Sequence, residues 1–331
     1  MRKIIPRISP CANRHYTCSY AVLDSLLRFF GYDPTVVCFN NWDFAYHRGE
    51  MCEIVGRLTP IDTALKVFGL AHCRREVGNA CCAWEEVKAL VDAQIPAALD
   101  MNVYPLAEAG LFPCLQRAIQ PFILTGYDEE ERKVHLLDAS PWLSKEMHVS
   151  FDLFCTSWDA SALCPAADGK YSWHWIEPPG ECFSLTPATL AVFLQRNIQV
   201  MAAQSKVDHL ALGVQGVECW ADDLGAWSGE AESPLRARLE RYSTSLWEIA
   251  LLREGHGSFL RRAAEFCDRP RLSGLGWDFE RISQRWFAVR NLFSRGIREE
   301  PTALVPRIQT GLRGIAAEER AALATLADIL D

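Results

Sequence analysis

Among the side chains able to do chemistry, Cys18 has the most informative surroundings. The pattern Tyr20, Leu23, Leu26-Leu27 and Phe30, closed by Gly31, predicts an amphipathic helix with Thr17 as its N-cap, which puts Cys18 in the first turn. A thiol there sits among unpaired N–H groups at the positive end of the helix dipole. Both influences favour the thiolate, the form that attacks thioesters, and the same N–H groups can hold an oxyanion. The plain alternative is a small buried residue at a helix start, since the chain has 13 cysteines in all.

Other motifs carry less. The sequence has no Gly-x-Gly-x-x-Gly, no Walker sequence and no His-Glu-x-x-His. His72, Cys73, Cys81 and Cys82 lack the paired C-x2-C spacing of a zinc site and read as small, mostly apolar fillers, with metal binding the lesser alternative. Gly255-His256-Gly257-Ser258 follows no strand and is no nucleophile elbow; Ser258 reads as the N-cap of a following helix.

The elements that would position Cys18 follow from periodicity. Trp84, Val87, Leu90 and Val91 share a helix face, and Ala97 to Met101 form a short strand after Ile95-Pro96. Pro121 to Thr125 and Lys133 to Asp138 read as an antiparallel hairpin around a polar turn at Gly126 to Glu131, with Pro141 as the stop. Residues 150 to 179 read as irregular and Trp-rich, with Trp173-His174-Trp175 as a possible short strand. From Thr186-Pro187 the chain turns helical. One stripe is Leu235, Leu239, Tyr242, Leu246 and Ile249, ending at Gly255; a second is Phe279, Ile282, Trp286 and Phe293; residues 302 to 331 add one or two more helices. The division expected is 1–165 and 166–331.

The order of these elements, a Cys-led helix followed by a hairpin, is that of the papain-like scaffold. More narrowly, the chain resembles the bacterial family typified by the butirosin-biosynthesis acyltransferase, related in turn to the cysteine peptidases that trim bacteriocin leaders. The resemblance rests on four stretches. They are Cys18-Ser-Tyr-Ala-Val-Leu-Asp-Ser-Leu-Leu-Arg-Phe-Phe-Gly31; Trp84-Glu-Glu-Val-Lys through Ile95-Pro96-Ala-Ala-Leu-Asp100 to Tyr104; Phe122-Ile-Leu-Thr-Gly-Tyr-Asp128, ending at Asp138; and Glu254-Gly-His-Gly-Ser-Phe-Leu-Arg-Arg262. It implies an α+β fold, a papain-like N-terminal domain followed by an all-helical C-terminal domain.

In that family a histidine begins the first hairpin strand, six residues before the Gly of Gly-Tyr-Asp. Here the position is Gln120, while Asp138 stands where the family has its orienting Asp. The resemblance thus implies that nucleophile and orienter are kept and the base is lost. His135 lies on the second strand, on the face opposite Asp138. His15, three residues before Cys18, is one substitute for the base or else a surface residue; Asn13 is the better candidate for an oxyanion-hole side chain. Where the family carries Phe-Gly-Leu-Gly, this chain reads Cys38-Phe-Asn-Asn-Trp-Asp-Phe-Ala-Tyr46, so Trp42, Phe44 and Tyr46 line a reshaped pocket or pack in the core. Asp100 and Tyr104 are the remaining substrate-contacting positions implied.

The function implied is acyl transfer in specialised-metabolite biosynthesis. An acyl or aminoacyl group would pass from a carrier-protein thioester through Cys18 to a small-molecule amine or other nucleophile. No metal or organic cofactor is implied. The alternatives are a catalytically inactive relative that binds a carrier protein or peptidyl intermediate, and a thioester hydrolase or cyclase.

Bulk properties agree with this class. The 331 residues are 49% hydrophobic and 23% charged, with a net charge of −8. An acidic chain repels phosphate backbones, and Arg261-Arg262 sits among acids, so no nucleic-acid partner is expected. Pro6 and Pro10 interrupt the N-terminal stretch, leaving no signal peptide apparent, and no run reaches the ~18 apolar residues of a membrane span. A cytosolic protein with reduced cysteines and no membrane partner is the expectation.

Overall fold

A computed structural model describes residues 1–11, 18–48, 53–56, 65–66, 69–113, 118–140, 145–159, 171–177, 186–203, 209–227, 229 and 231–331. The fold is mixed α+β, with an antiparallel sheet and a helical C-terminal region. It divides into two compact units. The first is Met1–Pro34 with Leu65–Phe183; the second is Thr35–Ala64 with Ser184–Asp331. Two segments therefore lie across the expected 165/166 division. Residues 35–64 belong with the helices, and a strand beyond residue 166 belongs to the first unit's sheet.

The first unit is built on a sheet in the order β4 (Ala71–Val77), β9 (Tyr171–Glu177), β5 (Ala97–Asn102), β6 (Ile119–Asp128), β7 (Lys133–Asp138), β8 (Lys145–Ser150), with β1 (Arg2–Ile4) also paired to β6. Every pairing is antiparallel. β6 runs to Asp128, three residues past the expected strand end, because β1 and β7 pair with Gly126, Tyr127 and Asp128 on either side. Alternation along the strands sends Leu99, Met101, Phe122, Leu124, Val134, Leu136, Met147, Val149 and Trp173 to one face. There they form a core with Val87 and Val91 of a helix at Ala80–Asp92, and with Phe154 and Trp158 of another at Phe151–Trp158. Asn79 and Ser150 cap these two helices through their side-chain oxygens. The helix α1, Cys18–Phe29, lies against β6 and β9.

The second unit holds α2 (Pro34–Cys38, its first residue counted with the first unit), α6 (Pro187–Met201), α7 (Gly213–Trp227), α8 (Glu232–Cys267), α9 (Pro270–Gly296) and α10 (Pro301–Leu330). A small sheet of β10 (Leu210–Leu212), β2 (Ala45–His47) and β3 (Glu53–Val55) completes it. Counting from the N-terminus, α3, α4 and α5 are Ala80–Asp92, Val103–Glu108 and Phe151–Trp158. Both apolar stripes read from the sequence are buried on α8 and α9. α8 does not stop at Gly255, and Ser258 is not an N-cap: the helix runs unbroken through both. The two glycines there allow close approach rather than chain reversal. A side chain at Gly255 would meet the Phe39 ring at 2.0 Å, and one at Gly257 would meet the Gly276 carbonyl at 2.6 Å. Among the described residues no helix is long and apolar enough to cross a membrane.

Candidate active site

Cys18 is the first residue of α1 and half-buried. Gln120 is the second residue of β6 and Asp138 the last of β7. Met101 pairs with Gln120 and Ile123 with Leu137, so Gln120 and Asp138 project from the core-facing side of the sheet as diagonal neighbours. Gln120 Nε2–H donates to Asp138 Oδ2 at 3.1 Å. The other carboxylate oxygen accepts the Ser140 N–H at 2.7 Å, and Asp138 is buried. Ser140 had escaped sequence reasoning, although Asp-x-Ser at a strand end is an Asx-turn pattern.

Electrostatics at Cys18 run against the helix-start argument. Burial pushes the thiol up, and the Asp138 charge raises it further; the Cys18 backbone N–H pulls down, but less. Burial likewise raises Asp138, against the lowering pull of its bonds from Ser140 and Gln120. Cys18 therefore rests as a thiol, not as the thiolate that its position in the helix suggests. Cysteine–histidine enzymes hold their thiolate against an imidazolium. Here the charge that acts on the thiol is a carboxylate, Asp138, which itself accepts a hydrogen bond from the neutral Gln120 amide.

The first unit's described histidines all project to the other face of the sheet. His135 and His148 are directly paired on β7 and β8, with ring centroids 4.2 Å apart. His72 and His174 share a hydrogen bond at 3.0 Å, and His174 pairs with Ala98, which points away from the Met101–Gln120 side. Asn13, His15 and Thr17 lie outside the described residues.

The remaining candidates disperse. Asp100 is on the opposite face from Gln120, accepting from Ser172 Oγ at 2.7 Å and facing Arg74 at 3.6 Å. Tyr104 lies in α4, where its N–H donates to the capping Asn102 Oδ1 at 3.0 Å, next to the strand end that pairs with Ile119. Trp42, Phe44 and Tyr46 are fully buried in the second unit. Trp42 stands edge-on to Phe279, Phe44 stacks on Trp286 and Tyr46 tilts against Trp220, so all three are packing residues of that core. His72, Cys73, Cys81 and Cys82 are also spread: the first two alternate across β4, and the others open α3. Among the described residues no group of three or more His, Cys, Asp or Glu side chains is placed to hold a metal ion.

No protein-family model matches the chain, and no curated protein matches it significantly.

Proposed function

We propose that the first unit is a papain-like thioester-exchange domain that takes an acyl or aminoacyl group from a carrier-protein thioester onto Cys18 and passes it to a small-molecule nucleophile. The observation that supports this reading is the Gln120–Asp138 hydrogen bond at 3.1 Å, in the unit whose first helix begins at Cys18: it joins the two residues that the family resemblance puts at the base and orienter positions, and the Asp138 charge acts on Cys18.

A glutamine amide takes up no proton near neutral pH, so the site lacks the group needed to drive acylation by a poor leaving group. Thioester exchange is the reaction least affected by that loss, because one thiolate replaces another. Cys18, deprotonated to solvent, attacks the thioester carbonyl and a new C–S bond forms. The carrier's C–S bond breaks, and its phosphopantetheine thiolate leaves and takes up a proton. The acceptor amine then attacks the Cys18 thioester, expelling the Cys18 thiolate and giving up its own proton to water. With the thiol raised, the reactive fraction at neutral pH is below the few per cent of an ordinary cysteine, and the rate climbs about tenfold per pH unit until the thiol titrates.

A second reading is favoured by the same raised thiol: the site binds an acyl or peptidyl intermediate without chemistry, and Gln120 recognises an amide or carbonyl. Intact mass after incubation with acylated carrier protein separates the two. A covalent adduct in the wild type and none in Cys18→Ala supports exchange; carrier binding without adduct supports the binding reading.

A further inference from the structure

The second unit buries a run of polar side chains between α2 and β2: Asn40, Asn41, Trp42 and Asp43 are all interior. Much of this polarity is matched. Asn197 on α6 accepts the Trp42 backbone N–H at 3.1 Å and donates to the Asn40 carbonyl at 3.0 Å, as a neighbouring strand would. A segment clamped that way sends side chains 40 and 42 to one side and 41 and 43 to the other. Arg196 answers the second side, donating to Asn41 Oδ1 at 2.5 Å and facing Asp43 Oδ2 at 3.7 Å.

Asn41 Nδ2 on that side has no partner among the described residues, whereas the first side leaves three such atoms from three residues. Asn40 Oδ1, Trp42 Nε1 and His256 Nε2 have no hydrogen-bond partner among the described residues. All three residues are at least 99% buried, Asn40 being 1% exposed and Trp42 and His256 0%. The Trp42 and His256 rings lie together, centroids 6.0 Å apart.

Their donor and acceptor roles are fixed by their other bonds. Asn40 donates from Nδ2 to the Val37 carbonyl at 3.3 Å, which leaves Oδ1 as an acceptor. His256 Nδ1 lies 3.0 Å from the Phe39 carbonyl, which can only accept, so Nδ1 carries the proton and Nε2 is a bare lone pair. Burial holding His256 down to about 3 agrees with a neutral ring. An indole N–H can only donate. The set is therefore two acceptors and one donor. A metal cation is repelled by the indole N–H and an anion by the two lone pairs. One water molecule supplies two donors and an acceptor, and three bonds is the usual number for a buried water.

We propose that the second unit holds one structural water that donates to Asn40 Oδ1 and His256 Nε2 and accepts from Trp42 Nε1–H. It ties α8 to the segment between α2 and β2 at the point where Gly255 lets Phe39 against the helix.

The test is water NOE spectroscopy on the full chain, labelled with ¹⁵N-tryptophan. Trp42 Nε1–H should show a cross-peak to a long-lived water. Trp286 Nε1–H, which donates to Glu319 Oε1 at 3.1 Å, serves as the internal control without one. Asn40→Leu should abolish or strongly weaken the Trp42 peak, and so should His256→Phe where it folds. A wild-type Trp42 indole without a water peak overturns the proposal, whatever the variants do. So does a peak that survives Asn40→Leu unchanged.

Discussion

Lowering the pH should destabilise the second unit through His256. The ring is fully buried, and burial, aided by the nearby Arg253 charge, lowers it from an ordinary 6.5 to about 3 despite its bond to the Phe39 carbonyl. The folded protein therefore keeps His256 neutral, while the unfolded chain binds a proton below about pH 6.5. A histidine depressed in the folded state contributes stability that is complete above pH 6.5 and is lost as pH falls toward 3. The slope is about 1.4 kcal/mol per pH unit, so the loss between pH 7 and pH 5 is about 2 kcal/mol, or about 4–8 °C in Tm for a unit of this size. His135 shifts in the same direction and Asp138 in the opposite one, so the contribution has to be isolated by difference. His256→Asn keeps an amide donor near the Nδ1 position and removes the titration. Urea unfolding of both proteins, followed by far-ultraviolet circular dichroism at pH 7 and pH 5, should show a pH-dependent loss about 2 kcal/mol smaller in the variant. Equal losses would refute the argument, because His256 would then take up its proton without unfolding.

Three further outcomes are expected. Asp138→Asn removes the negative charge that raises Cys18, so alkylation of Cys18 by iodoacetamide at fixed pH should be faster than in the wild type, with its pH midpoint moved down; an unchanged profile would mean the two groups do not interact. Gln120→His places an imidazole beside Asp138 and should speed Cys18 acylation by a thioester on the order of 10²-fold; stopped-flow rates equal to wild type would show that a base at position 120 does not serve Cys18. Gly255→Ala forces a methyl to 2.0 Å from the Phe39 ring and should cost about 1–3 kcal/mol of stability in the second unit by thermal unfolding.

How far the sequence reached varies from element to element. The α1 helix and the β6–β7 hairpin were legible because their apolar residues keep a clear period and the ends carry Gly31 and the Asp128–Arg132 turn. β4 was not, because as a sheet edge it carries Arg74, Arg75 and Glu76 and resembles a solvated loop. β9 was read only as a fragment, and its place between β4 and β5 is set by partners about 75 to 100 residues earlier, beyond the reach of local pattern. The glycines of α8 read as a break because glycine disfavours helix; the tertiary contacts with Phe39 and Gly276 explain why they are there. At the site, the family resemblance pointed to Gln120 and Asp138, which are joined by a hydrogen bond, but the direction of the Cys18 shift was hidden. The helix-end effect is local and can be read in advance; burial and the Asp138 charge exist only once the sheet has formed.

Intact-mass spectrometry of the full chain after incubation with an aminoacyl or acyl carrier protein, run across pH 6 to 9, bears most directly on acyl transfer through Cys18. Acyl transfer through Cys18 predicts a mass increase equal to the acyl group, absent in Cys18→Ala and accumulating faster as pH rises. Carrier protein bound tightly with no adduct at any pH, or an adduct that persists in Cys18→Ala, would contradict it.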